Sequence, residues 1–130
     1  MTFSVVAVSQ SGTQVGVATA SFSLAVGASV PALAPGIGAV VTQAWTKRSH
    51  RARSLELMRR SLPPSRVLEQ LADEDEGWSR RQVGLIDVGE RTAVWTGPDT
   101  SPWAGAIEGP NFVVIGNLLP GREVLEAMEE

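Results

Sequence analysis

Hydroxyl and amide side chains set the chemistry this chain can attempt. Thr2, Ser4, Ser21 and Ser23 supply hydroxyls near its start, and Thr42, Gln43 and Asn117 supply neutral hydrogen-bonding groups at the ends of apolar runs. Threonine after Met1 is small enough to permit removal of the methionine. An exposed terminal threonine can attack an amide carbonyl through Oγ1, with its own α-amine as base. That amine's ordinary pKa, about 7.7–8.0, lies near working pH. The competing reading of Thr2 is an ordinary β-branched strand residue. Ser4 shares a strand face with Thr2 by the two-residue period, and Ser21 and Ser23 follow a second strand. These serines either line a cleft with Thr2 or bond neighbouring backbone in a strand-end turn. Amides on Gln43 and Asn117, and the hydroxyl of Thr42, could donate to a developing oxyanion or satisfy buried backbone groups. Trp103, between Pro102 and Gly105, walls a pocket or packs the core.

Other chemistries are excluded by composition. The chain has no cysteine, which removes disulfides, zinc thiolate sites and thiol nucleophiles together. Its one histidine, His50, sits among Lys47, Arg48 and Arg51, which disfavour its protonation, and reads as a surface residue. No phosphate loop, paired-carboxylate spacing or metal motif is present, and nothing calls for a cofactor. A net charge of −3 leaves no basic footprint for nucleic acid. The arginines between Arg48 and Arg60, and Arg80–Arg81, read as solvated helix faces.

The elements that must position these groups begin with an anomaly. No Asp, Glu, Lys, Arg or His occurs from Met1 to Thr46, where a usual charge density of about 25% would place roughly eleven. Such a stretch is either membrane-inserted or buried on both faces. Ser, Thr, Gln, Gly and Pro interrupt every run, so no spanning helix of about 20 apolar residues fits. Short Val/Ala strands between Gly and Pro breakers fit a sheet covered on both sides. The N-terminus lacks the basic and apolar regions of a secretory signal, and the expectation is a cytoplasmic protein with no membrane contact.

Taken in order, Thr2 to Val8 and Val15 to Ala20 read as a hairpin around Ser9–Gln14. Ala25 to Val30 and Ile37 to Thr42 read as two further strands joined by a Pro31–Pro35 loop. Beyond Lys47 the period changes. Ala52, Leu55, Met58 and Leu62 mark an amphipathic helix, and Pro64 opens a second with Val67, Leu68, Leu71 and Ala72 on one face. Gln82 to Val88 and Thr92 to Thr96 form a hairpin turned at Gly89. A Pro/Gly/Trp loop runs from Gly97 to Pro110, and Phe112 to Ile115 is a final strand. A short helix near Pro120 carries Val124, Leu125 and Met128. Length and order give one α+β domain over residues 1–130, with helices segregated from antiparallel sheet.

Several segments together resemble the domain-of-unknown-function 1028 family. They are Thr2-Phe3-Ser4-Val5-Val6-Ala7, Ala20-Ser21 through Ala25-Val26-Gly27, Gly36 to Ala44, Arg81-Gln82-Val83-Gly84, Trp95-Thr96-Gly97, Pro102-Trp103-Ala104-Gly105 and Gly116-Asn117-Leu118-Leu119. The resemblance implies a four-layer αββα sandwich of antiparallel sheets, as in the N-terminal-nucleophile hydrolases. It implies an amide or acyl hydrolase with Thr2, Ser4 and Ser21 as catalytic candidates. Ser23, Thr42, Gln43, Asn117 and Trp103 would then be substrate-binding candidates. The alternative is a non-catalytic binding or assembly protein that keeps the sandwich. That fold usually places a lysine or arginine beside its nucleophile, and the lone lysine here, Lys47, lies outside the strands. Members of the family usually continue well past the helix near Pro120, so this chain reads as a short member, a fragment, or a piece whose C-terminal portion is a separate chain. A final helix shorter than 12–15 residues needs a partner surface, and a homo-oligomer is the expected way to supply it.

Overall fold

The computed structural model describes residues 1–130. Strands β1 (Thr2–Val8), β2 (Val15–Ser21), β3 (Pro31–Ala34) and β4 (Gly38–Ala44) lead to helices α1 (Ser49–Arg59) and α2 (Pro64–Asp73). Strands β5 (Arg81–Asp87), β6 (Thr92–Thr96), β7 (Gly105–Glu108) and β8 (Phe112–Asn117) follow, and α3 (Glu123–Glu129) closes the chain. The strands form two antiparallel sheets of four, ordered β2-β1-β8-β7 and β3-β4-β5-β6. The chain is a mixed α+β fold, as its element order predicts.

Alternation along the strands decides which residues meet. Val6 and Val8 of β1, Val113 and Ile115 of β8, Ala39 and Val41 of β4 and Ile86 of β5 form one buried cluster between the sheets. The opposite face of the second sheet sends Val40, Val83 and Leu85 against Leu57 and Met58 of α1 and Val67 and Leu71 of α2. The opposite face of the first sheet packs Val114 against Leu125 of α3, with Leu119 beside them. Glycine allows the sheets to close: a Cβ on Gly84 would lie 3.1 Å from Val113 Cγ1 and 3.3 Å from Val41 Cγ2. At Gly38, where φ is +152°, a Cβ would strike the Ile86 carbonyl oxygen at 2.2 Å.

Three local expectations are corrected. Ala25–Val30 is no strand; it holds a single 3-10 turn at Val26–Ala28, entered through a left-handed Ala25. The strand lies next door, at Pro31–Ala34, because proline is tolerated as the first residue of an edge strand and β3 is one. The loop Gly97–Pro110 likewise contains β7, a four-residue edge strand. On α1 the buried residues are His50, Ser54, Leu57 and Met58, while Ala52 is exposed. Its inward face is therefore turned from the stripe its apolar residues suggest and carries two polar side chains. Burial on both faces holds for β4, but every second residue of β2 is exposed.

Leu71 is completely buried between α2 and the second sheet. Replacing it by alanine is expected to cost about 2–5 kcal/mol in urea unfolding. Arg66→Ala, on the solvent side of the same helix, should change stability by less than about 0.5 kcal/mol.

Candidate functional site

Two polar rows face each other at one end of the space between the sheets. In the first sheet, Thr2 lies opposite Ser21 on one side and Asn117 on the other. In the second, Gln82 lies opposite Gln43 and Thr96. Ser4 and Thr19 form a further pair one step deeper. The pleat aims all of these side chains inward, so the two-residue period that buries Val6 and Val8 also buries hydroxyls and amides.

Hydrogen bonds join the rows. Gln43 Nε2 donates to the Thr2 carbonyl at 3.3 Å and to Gln82 Oε1 at 2.9 Å, while its Oε1 accepts from Ser4 Oγ at 2.7 Å. Gln82 Nε2 contacts the carbonyls of Gly116 at 2.8 Å and Gly105 at 3.1 Å, and Thr96 Oγ1 at 3.0 Å. Asn117 Nδ2 donates to Gln82 Oε1 at 3.2 Å. The Thr2 and Ser21 hydroxyls are 2.8 Å apart, and Ser21 Oγ also donates to the Met1 carbonyl at 3.1 Å. Ser4, Gln43 and Gln82 have no exposed surface, whereas Thr2 is only partly buried.

Beside this network lies a hollow of about 280 Å³, lined by Ala44, Trp45, Ser101, Asn117 and Leu118. Ala44 and Leu118 directly follow Gln43 and Asn117, and both are held in the left-handed region, at φ 70° and 55°. Non-glycine residues there cost of order 1–3 kcal/mol. The conformation turns each chain sharply out of its sheet and opens the end of the sandwich. Trp45 and Leu118 are exposed at its mouth, with the Arg80 guanidinium 6.0 Å from the Trp45 ring. None of the lining residues is charged.

The structure gathers Thr2, Ser4, Ser21, Gln43 and Asn117 and separates the others. Ser23 is exposed in the following loop, where its N–H donates to Ser21 Oγ at 3.1 Å. Thr42 faces away, because adjacent strand residues take opposite faces; it is buried with its hydroxyl unpartnered. Trp103 packs over Gly105 on the α3 side of the first sheet, away from the hollow. Gln43 is committed to internal bonds on both ends of its amide. Sequence reasoning missed Gln82, Thr96 and Ser101. A glutamine just inside the end of an apolar strand is the signal Gln82 shares with Gln43.

A second polar group sits beneath α1. His50 is 3% exposed, not a surface residue, with Nε2 3.2 Å from Asp75 Oδ2. Neither ring nitrogen makes an aligned hydrogen bond, and Trp78 packs edge-on against the ring at 5.6 Å. Asp75 also takes Arg81 at 2.8 Å and Lys47 at 3.3 Å. Hydrogen bonds from Arg81 hold its carboxyl well below the usual carboxylate range. Burial lowers His50 from its ordinary value of 6.5, against the attraction of Asp75 and with help from Lys47 and Arg81. This cluster pins the start of α1 and the end of α2 to β5. No three of the chain's His, Asp or Glu side chains converge as metal ligands would.

The folded protein thus resists protonating His50 more than the unfolded chain does. Its contribution to stability is complete above about pH 6.5 and is lost as pH falls through the lowered folded-state value. Unfolding free energies should be level from about pH 7 to 8 and decline as the pH drops below about 6.5. His50→Gln should remove the decline above about pH 5, while the Asp75 contribution persists until about pH 4.

The family model for a family of unknown function (DUF1028) matches residues 2–130. The chain is also similar to the crystal structure of protein SPO2555 from Silicibacter pomeroyi, described with the same family, at a TM-score of 0.93 and 26% identity. That alignment covers 98% of this chain and 59% of the other, so this chain spans well under two thirds of that relative's length. A search of curated protein sequences finds no match. The chain belongs to the DUF1028 family.

Proposed function

We propose that the protein is an amide or acyl hydrolase of the N-terminal-nucleophile type, with Thr2 as nucleophile once Met1 is removed. The observation that carries this reading is the position of Thr2: first residue of β1, hydroxyl paired with Ser21, and strand partner of Asn117, which lines an open hollow. The sequence of helix layer, two antiparallel sheets and helix layer fits the four-layer sandwich of that class and supports the assignment.

Met1 is half exposed and holds Ser21 Oγ and the Phe22 N–H through its carbonyl. Its removal leaves the Ser21 hydroxyl beside a new α-amine on Thr2. That amine takes the Oγ1 proton as Oγ1 bonds to the substrate carbonyl carbon. The oxyanion that forms meets the Asn117 amide. Collapse breaks the carbon–nitrogen bond, and the ammonium returns its proton to the departing amine, leaving an ester on Thr2. Water then attacks the ester with the α-amine again as base, releasing the acid and restoring the Thr2 hydroxyl. Ser4 and Gln43 are positioning residues, fixing β1 through the Thr2 carbonyl. No charged side chain lines the hollow, so the substrate group beside the scissile bond is neutral or apolar.

A second reading has its own observation. Lys47 bonds Glu74 and Asp75 far along the chain and lends Thr2 no charge. If the α-amine stays blocked by Met1, the hollow serves only to bind, and the protein is a non-catalytic binding or assembly member. Intact mass and a threonine-directed β-lactone separate the two. The hydrolase reading expects native protein without Met1, one lactone adduct on Thr2, and labelling retained in Thr2→Ser but slowed at least roughly a hundredfold in Thr2→Ala. Retained Met1 with no labelled Ser or Thr would select the binding reading.

A further inference from the structure

The free edge of β2 carries an inference independent of the chemistry at Thr2. Ser9 donates its N–H to the Gln14 carbonyl at 2.9 Å, and Phe22 donates to Met1 at 3.3 Å. Even-numbered residues of β2 therefore aim their main-chain groups at β1, and the N–H and C=O groups of Val15, Val17, Thr19 and Ser21 point outward. β2 pairs with β1 alone, and no turn or loop bond reaches those outward groups. Natural edge strands are blunted by charge, proline, a bulge or a covering element. This one, VGVATAS, has seven residues in unbroken register with β1 and none of the first three devices. Phe22 and Leu24, just past its end, are 96% and 98% exposed.

We infer that β2 pairs antiparallel with β2 of a second copy across a two-fold axis at Ala18, joining the two first sheets into one. That register puts Val17 opposite the partner's Thr19 and Val15 opposite the partner's Ser21. It thereby uses every outward main-chain group of the strand. On the outer face Ala18 meets the partner's Ala18, and Gly16 meets the partner's Ala20, so only small side chains crowd the axis. Phe22 falls diagonally across from the partner's Gly16, where no atom lies within 4 Å of a would-be Cβ. A two-fold contact sets each group against its own copy, so charged side chains near the axis would repel. Strands β1 to β4 carry none. Beside the seam, a small groove lined by Phe3, Val5, Ala18, Ala20 and Met128 lies on the face the joined sheets share. The pairing also orders Ser21, and with it the Thr2 hydroxyl bond.

The chain lacks cysteine, so a single introduced thiol reports the axis. Across a two-fold, Ala18→Cys places two Cβ atoms about 4.5–5.5 Å apart, within reach of a disulfide after small adjustment. Ala20→Cys faces glycine and should not cross-link. The expected results are sedimentation at twice the 13.8 kDa of one chain, rapid oxidation of Ala18→Cys to a covalent dimer, and a dissociation constant raised at least roughly tenfold in Ala18→Lys with an unchanged circular dichroism spectrum. A wild-type chain that stays monomeric at all concentrations would overturn the inference and leave the edge to a segment or partner of another kind. So would a dimer in which Ala18→Cys oxidises no faster than Ala20→Cys.

Discussion

An amide sealed between two sheets must keep its hydrogen bonds, because each buried group left unpaired costs about 1–3 kcal/mol. At the Thr2 end of this sandwich that constraint replaces hydrophobic packing as the organising force. Gln43 and Gln82 span the gap between the sheets, one reaching the Thr2 carbonyl and the other the carbonyls of Gly105 and Gly116. The sheets can settle at only one register and spacing that satisfies both amides.

The rest of the architecture follows from holding that register. The charge-free strands β1 to β4 and the uncharged inward residues of β5 and β8 supply the buried inner faces, and Gly84 removes the side chain that would hold the sheets apart. Two residues in the left-handed region, Ala44 and Leu118, turn the chain away immediately beyond the amides and leave a hollow where packing stops. On the far side of the second sheet the same logic recurs with charge: Asp75 gathers Arg81, Lys47 and His50 and anchors both long helices. Most of the buried polar side chains are thus gathered at two junctions, one between the sheets and one between sheet and helices, with Asp87 held separately in the β5–β6 turn.

Much of this was legible in the sequence because it depends on short-range periods. The two-residue alternation from Phe3 to Val8 and the Pro64 helix start are local signals, and both survive in the structure. So does the gathering of Thr2, Ser4, Ser21, Gln43 and Asn117, since each sits at a countable offset along its strand. The grouping of Thr42 with Gln43 fails on the same local period, since neighbours on a strand face opposite ways. The other failures depend on tertiary partners. His50 looked solvated among cations, yet Asp75, 25 residues on, draws it inward. Pro31 disguised an edge strand, and the Trp103 loop disguised another, because each is defined by the strand it pairs with. Gln82 carries the same strand-end signal as Gln43, but its role emerges only from the facing row.

The central claim is that the glutamine amides bridge the sheets out of contact with water. Proton exchange of side-chain amides, followed by NMR, measures this directly. The account predicts that the Gln43 and Gln82 amide protons exchange with solvent at least roughly a hundredfold more slowly than those of the exposed Gln10 and Gln14. Exchange of all four at a common, solvent-limited rate would contradict it.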